Sequence, residues 1–186
     1  MDITNLKNLI PDHARDLKLN LSTVLSAEGA PGLRAEQIAG VALASAVAAR
    51  NPTLLAEVEA QAVSLLDAAH VNAARAAAAI MGMNNVYYRF THLVANEEYA
   101  KLPARLRMNV IGNPGIDKTD FELYSLAVSA INGCGSCMAA HEKVVRKAGV
   151  SAEGVQSAIR IAAVLHGSAV ALEAGVPVSA AGREAA

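Results

Sequence analysis

The chain has 186 residues, with 16 Lys and Arg against 17 Asp and Glu for a formal net charge of -1, and its composition is 53% hydrophobic but only 3% aromatic. A chain of this length buries about 70% of the surface it exposes when unfolded, so one domain over residues 1–186 is expected. The near-neutral charge, with no basic stripe, argues against nucleic acid or an anionic membrane surface as a partner. The longest apolar runs, Ile38 to Ala49 and Ile161 to Leu172, are 12 residues each, against the roughly 20 that a membrane span requires. The opening Met-Asp-Ile-Thr-Asn-Leu-Lys has an acid where a secretory signal has basic residues, and the cytoplasm is the expected compartment.

Helix signals run from end to end, and no alternating β-branched or aromatic stretch is long enough for a strand, so the fold is expected to be all-α. Asp12 to Glu28 carries Leu17, Leu21, Val24 and Leu25 at helical spacing before Gly29-Ala-Pro31-Gly32. Arg34 to Ala49 forms the next helix. Asn51-Pro52 pairs a cap with a proline at the first helical position, predicting a helix to about Leu66. Asp67 to Gly82 continues as an alanine-packed helix, Met81 to Phe90 is less regular, and Asn113-Pro114-Gly115 makes a turn that divides the chain. Helices follow over Thr119 to Asn132, about Cys134 to Lys147 and Ser151 to Glu173, with a frayed tail at Ala180 to Ala186.

Sliding the second half back by 84 positions lays Ser129-Ala130 on Ser45-Ala46 and Ala162-Ala163 on Ala78-Ala79. The pattern suggests two related helix-pair halves, the second spanning about 116–175. Cys134, Cys137 and His141 then fall opposite Arg50, Thr53 and Glu57, so only the second copy carries cysteines.

The two cysteines stand three apart in Asn132-Gly-Cys-Gly-Ser-Cys-Met-Ala-Ala-His141. On a helix, Cys134, Cys137 and His141 at i, i+3 and i+7 fall within an arc of about 60°. Cysteines in a first helical turn meet free N–H groups and the positive end of the helix dipole, which favour thiolate. Glu122 lies 11 residues before Gly133 and His141 8 after it; two helices folded back at that corner bring the carboxylate and the imidazole to one level. A Glu–His–Cys relay would fix the histidine tautomer and move protons to and from sulfur. Other readings of the same residues stay open. Thr119-Asp-Phe-Glu122 fits a capping box, and His141 alone suits a half-buried helix position. Zinc could take two cysteines and a histidine, with a fourth ligand from His13, His70, His92 or His166.

The match beyond the motif is more specific. Phe121 to Glu142, with Ala79-Ile-Met-Gly-Met-Asn-Asn-Val-Tyr-Tyr88, Leu106-Arg-Met-Asn-Val-Ile-Gly-Asn-Pro-Gly115, Arg50-Asn51-Pro52 and Asp16 to Ser22, resembles the AhpD family of alkyl hydroperoxidases in the carboxymuconolactone decarboxylase superfamily. The resemblance covers nearly the whole chain and includes the spacing E-x11-C-x2-C-x3-H. It implies an all-helical trimer without a bound cofactor or metal. It implies reduction of hydroperoxides with electrons from dihydrolipoamide, through a lipoyl-bearing acyltransferase and dihydrolipoamide dehydrogenase, and service as reductant of the peroxiredoxin AhpC. Carried over by position, it makes Cys134 and Cys137 the redox pair and puts Glu122 and His141 in the proton relay. Well-known members have a histidine just before the second cysteine, where this chain has Ser136, a hydroxyl that can orient water or peroxide but carries no positive charge.

Within that scheme Cys137, one turn before His141, is assigned to the peroxide, and Cys134 to resolving the sulfenic acid. Cys134, nearer the helix start, is expected to be the more accessible sulfur for the reductant. A thiol-disulfide carrier with incidental peroxidase activity and a zinc-stabilised scaffold are the rival readings. Decarboxylation, which names the superfamily, does not call for a cysteine pair.

Overall fold

The computed structural model describes residues 1–175, and the tail from Ala180 to Ala186 lies outside them. The described residues form helices α1 (Thr4–Leu9), α2 (Arg15–Val24), α3 (Ala35–Ala49), α4 (Pro52–Ala62), α5 (Ala68–Val94), α6 (Glu97–Lys101), α7 (Asn109–Gly112), α8 (Lys118–Ile131), α9 (Gly135–Lys147) and α10 (Ala152–Ala174). A 3-10 turn, Asp12–Ala14, precedes α2. No strand occurs among the described residues, and the fold is all-α.

Local chemistry sets the helix ends. Asn51 accepts the Leu54 N–H and Pro52 opens α4; Asp67 accepts the His70 N–H at the start of α5; Ser151 accepts the Gly154 N–H at the start of α10. Two helices stop earlier than their apolar spacing suggests, α2 at Val24 and α4 at Ala62. Just beyond each the backbone tightens to i−3 bonds, the Ser26 N–H to Thr23 O at 3.1 Å and the Ser64 N–H to Gln61 O at 3.3 Å, and each serine hydroxyl donates to the same carbonyl, at 3.0 and 2.8 Å. In contrast α5 runs on through Met81 to Phe90, expected to be irregular, and ends at Val94. Gly82 sits in open space within it and does not break it.

The helix starts repeat. Ala35, Pro52 and Ala68 recur as Lys118, Gly135 and Ala152, at offsets of 83, 83 and 84. The packing repeats as well: α3 lies on α4 and α5, α8 lies on α9 and α10, and the halves interlock through α3 with α10 and α5 with α8. At the first corner the register is one residue different from the sequence alignment. Cys134, Cys137 and His141 fall opposite Asn51, Leu54 and Val58, because the helix caps, rather than matched alanines, fix the offset there.

α3 and α8 form the centre, buried continuously from Gln37 to Ala46 and from Asp120 to Ser129. They approach closely at Gly40, where a β-carbon would collide with the Tyr124 hydroxyl. Burial, and then the charge of Asp120, push the Tyr124 phenol above its ordinary pKa. Asp120 joins the two helix starts, accepting from Arg34 Nη2 at 2.9 Å and Gln37 Nε2 at 2.7 Å. By length and composition α10 could cross a membrane, with mean hydropathy 1.4 over its most apolar 18 residues. Here it packs on α2, α3, α4 and α8, with 44% of those 18 residues buried.

Candidate active site

The corner between α8 and α9 is built from one glycine and two overlapping end motifs. Gly133 takes φ +69°, a left-handed conformation that costs glycine little. The Gly133 N–H bonds to Ala130 O and the Cys134 N–H to Ser129 O, at 3.1 Å each, which is the Schellman ending of a helix. Cys134 is at once the last residue of that motif and the N-cap of α9, its sulfur accepting the Cys137 N–H at 3.4 Å. It was expected within the first turn and stands one position before it. The end of α8 is held from α5: Asn85 Nδ2 donates to Ser129 Oγ, Asn132 Nδ2 donates to Asn85 Oδ1, both at 3.0 Å, and Arg89 Nη1 donates to Asn132 O at 2.6 Å.

Cys134 and Cys137 are joined in a disulfide, with their Cα atoms 5.3 Å apart. Cys134 is fully buried and Cys137 is 7% exposed. The expectation that Cys134 would be the more accessible sulfur is therefore corrected: as an N-cap folded against the end of α8 it is covered, and Cys137, one turn on, opens onto a cavity of about 300 Å³. Ser136 lies on the same cavity with its hydroxyl 3.6 Å from the Cys134 sulfur.

Glu122 and His141 meet as their levels on the two helices required, with Glu122 Oε2 2.6 Å from His141 Nδ1. The alternative reading of Thr119 and Glu122 as a capping box is not the one formed. Asp117 caps α8 instead, accepting the Thr119 N–H at 2.8 Å. Glu122, buried deeper, bonds to the ring. His141 Nε2 faces Met81 Sδ at 3.3 Å, where a direct or one-water contact to a cysteine was expected. His141 and Cys137 nevertheless share the cavity.

The opposite wall comes from α5, whose Met81, Asn84 and Tyr88 stand at i, i+3 and i+7 and so present one stripe. Met108 and Ile111 close the rim, with the Tyr88 hydroxyl 3.9 Å from Met108 Sδ. Neither the stripe nor the rim was singled out as functional from the sequence, although the stripe's helical spacing was there to be seen. His70 pairs with Asp67 at 2.7 Å and His166 lines a separate apolar cavity. Among the described residues no cluster of three or more His, Cys, Asp and Glu is arranged to hold a metal.

Comparison with known proteins gives the chain's family. Residues 97–179 match the model of the carboxymuconolactone decarboxylase family. The chain is 56% identical to a Bradyrhizobium sp. (strain BTAi1) protein named alkyl hydroperoxide reductase AhpD, over 97% of this chain and 99% of that protein. It is 55% identical to the protein of that name from Brucella canis, over 94% and 98% of the two chains, and 54% identical to that from Rhodospirillum centenum, over 96% and 95%. With more than half its residues shared along nearly their whole length, and a cysteine pair beside a glutamate-bound histidine, the chain belongs to the AhpD family of alkyl hydroperoxide reductases.

Proposed function

We propose that the chain is a thiol peroxidase that reduces alkyl hydroperoxides through a dithiol–disulfide cycle of Cys134 and Cys137. The observation that carries the reading is the Cys134–Cys137 disulfide at a cavity shared by Cys137 and the Glu122-held His141. The Cys137 thiolate attacks the distal oxygen of the hydroperoxide, the O–O bond breaks, and His141 gives the leaving alkoxide its proton, leaving a sulfenic acid and an alcohol. Cys134 then attacks the sulfenic sulfur, water departs, and the disulfide closes. Glu122 keeps the ring in place, and the Ser136 hydroxyl orients peroxide or water at the cavity wall.

Thiolate formation supplies little of the rate. A thiol whose pKa falls from about 8.5 to about 6.5 gains roughly 25-fold in thiolate at pH 7 and loses roughly eightfold in nucleophilicity, a net factor of about three. Placement of the peroxide and protonation of its leaving oxygen supply the rest.

Two electrons and two protons return from dihydrolipoamide, carried by a lipoyl-bearing acyltransferase with dihydrolipoamide dehydrogenase, in the cytoplasm. The lipoyl thiolate enters by the cavity and attacks the Cys137 sulfur. Cys134 leaves as a thiolate at the helix N-cap, where the Cys137 N–H receives it. The same dithiol reduces the peroxiredoxin AhpC, and the whole chain, residues 1–186, acts as one domain in a homotrimer. The chain itself binds no cofactor.

The test is peroxide consumption with dihydrolipoamide as donor, with and without the peroxiredoxin. Reduced protein should consume one equivalent of an alkyl hydroperoxide per disulfide formed. Reduced protein that leaves the peroxide untouched would rule the reading out, and turnover only with the peroxiredoxin present would favour an electron carrier. Light scattering that gave a monomer at micromolar concentration would remove the trimer and leave the chemistry standing.

A further inference from the structure

Two adjacent asparagines on α5 have opposite fates. Asn85 is fully engaged, donating to Ser129 and accepting from Asn132. Asn84 is only 4% exposed, yet its amide oxygen has no donor, and no acceptor for its amide nitrogen occurs among the described residues. Buried side-chain amides are nearly always paired, because an unmade hydrogen bond inside a protein is destabilising. Asn84 lies on the wall of the cavity that holds Cys137 and His141, between Met81 and Tyr88 of the same stripe. Its neighbours on that stripe are engaged with the site, Met81 with His141 and Tyr88 with Met108. The amide is thus the polar group of the stripe without a partner.

We infer that Asn84 binds the hydroperoxide group itself, an inference that rests on the peroxidase reading. A hydroperoxide has one O–H donor, on the distal oxygen, and an acceptor on the proximal oxygen. A primary amide can offer either complement, a carbonyl for the distal O–H or an N–H for the proximal oxygen, and the N–H is the end assigned to the cavity. The two ends of an amide are related by a half-turn of nearly unchanged shape, so either can face the cavity. In the reaction the proximal oxygen gains the electron pair of the broken O–O bond before His141 delivers its proton. A donor already aimed at that oxygen stabilises the developing charge. The distal oxygen keeps its hydrogen and becomes the sulfenic hydroxyl on Cys137. The apolar wall formed by Met81, Met108, Ile111 and Ala140 takes the alkyl part. A dithiol has no O–O–H group, so this contact serves the oxidative half-reaction and not the reductive one.

The experiment compares the two half-reactions in Asn84→Leu, which keeps the volume and removes both hydrogen-bonding groups. Single-turnover oxidation of the reduced protein by an alkyl hydroperoxide should slow about 10- to 100-fold, the range of a hydrogen bond to a developing charge. Reduction of the disulfide by dihydrolipoamide should stay within twofold. The loss should be uniform from pH 5 to 9, since an amide does not titrate, and Tm should hold or rise because an unpaired polar group has gone. Should Asn84→Leu fail to fold, Asn84→Ala, which only enlarges the cavity, carries the same rate comparison. An oxidation rate within twofold of wild type overturns the assignment, as does an equal slowing of both half-reactions. Wild-type protein that leaves the hydroperoxide unconsumed sinks the peroxidase reading and this inference together, and is recognised in the wild type alone.

Discussion

The corner between α3 and α4 and the corner between α8 and α9 are two versions of one design. Each has a residue in the left-handed region, Arg50 at φ 60° and Gly133 at φ 69°. Each is followed by a cap whose side chain accepts an N–H three residues on, Asn51 from Leu54 and Cys134 from Cys137. The difference is in what lies behind the cap. In the first corner Leu54 and Val58 are completely buried and Ala39 occupies the position equivalent to Glu122. In the second, Cys137 and His141 stand at a cavity and Glu122 reaches the ring. The same backbone therefore supports a packed core at one corner and a cysteine pair at a cavity at the other, and only the side chains behind the cap decide which.

The strongest way to break this comparison is to exchange consequences between the corners. Cys137→Ser should abolish reaction with hydroperoxide, while Cys134→Ser should consume about one equivalent and stop at a trappable sulfenic acid on Cys137. A sulfenic acid forming on Cys134 in the Cys137→Ser protein at a similar rate would reverse the assignment. At the other corner, Leu54→Ala should cost about 2 to 5 kcal/mol in denaturant unfolding, as truncations of fully buried leucines do, with the single-turnover rate of the folded protein unchanged. Glu122→Gln comes next. It should lower turnover about 100-fold, the scale of a lost acid–base group, with little change in unfolding free energy. A stability loss above about 1 kcal/mol with turnover intact would mean that Glu122 serves α8 and not the ring.

Smaller effects sharpen the backbone side of the comparison. Gly133→Ala places a β-carbon in the left-handed region and should cost about 1 kcal/mol, whereas Arg50→Gly relieves the same strain and should gain about 0.5 to 1 kcal/mol. Chemical denaturation of both variants checks the opposed signs. The smallest effect is on pH dependence. Asp117 caps α8, and hydrogen bonds from Thr119, the hydroxyl first and then the N–H, hold its carboxyl below the ordinary value of 3.8. A depressed carboxyl contributes stability that is fully present above the unfolded value and is lost as pH falls through the folded one. Asp117→Asn keeps the cap, so urea midpoints of variant and wild type should agree near pH 6, and the wild type should fall more steeply below pH 3.8. The cap position of α3 is Arg34, which has no carboxyl and adds no such slope.

Much of this molecule was legible in the chain itself. Helical periodicity, capping residues and the Gly133 turn fix an all-α course because they are local: a proline after an asparagine or a glycine after a helix acts through its immediate neighbours. The pairing of Glu122 with His141 was also readable, since two helices folded at a known corner bring residues at similar distances from it to the same level. The tertiary structure alone decided what depends on neighbours from elsewhere in the chain. Thr119 and Asp117 both suit a cap, and burial of Glu122 against His141 left that task to Asp117. The early stops of α2 and α4 lie where the chain tightens to i−3 bonds at Ser26 and Ser64, which periodicity does not mark. Which sulfur is covered followed from the overlap of two end motifs at Cys134, and the wall facing Cys137 came from α5, about 50 residues away in sequence. Periodicity identifies the faces of a helix; only packing determines what each face meets.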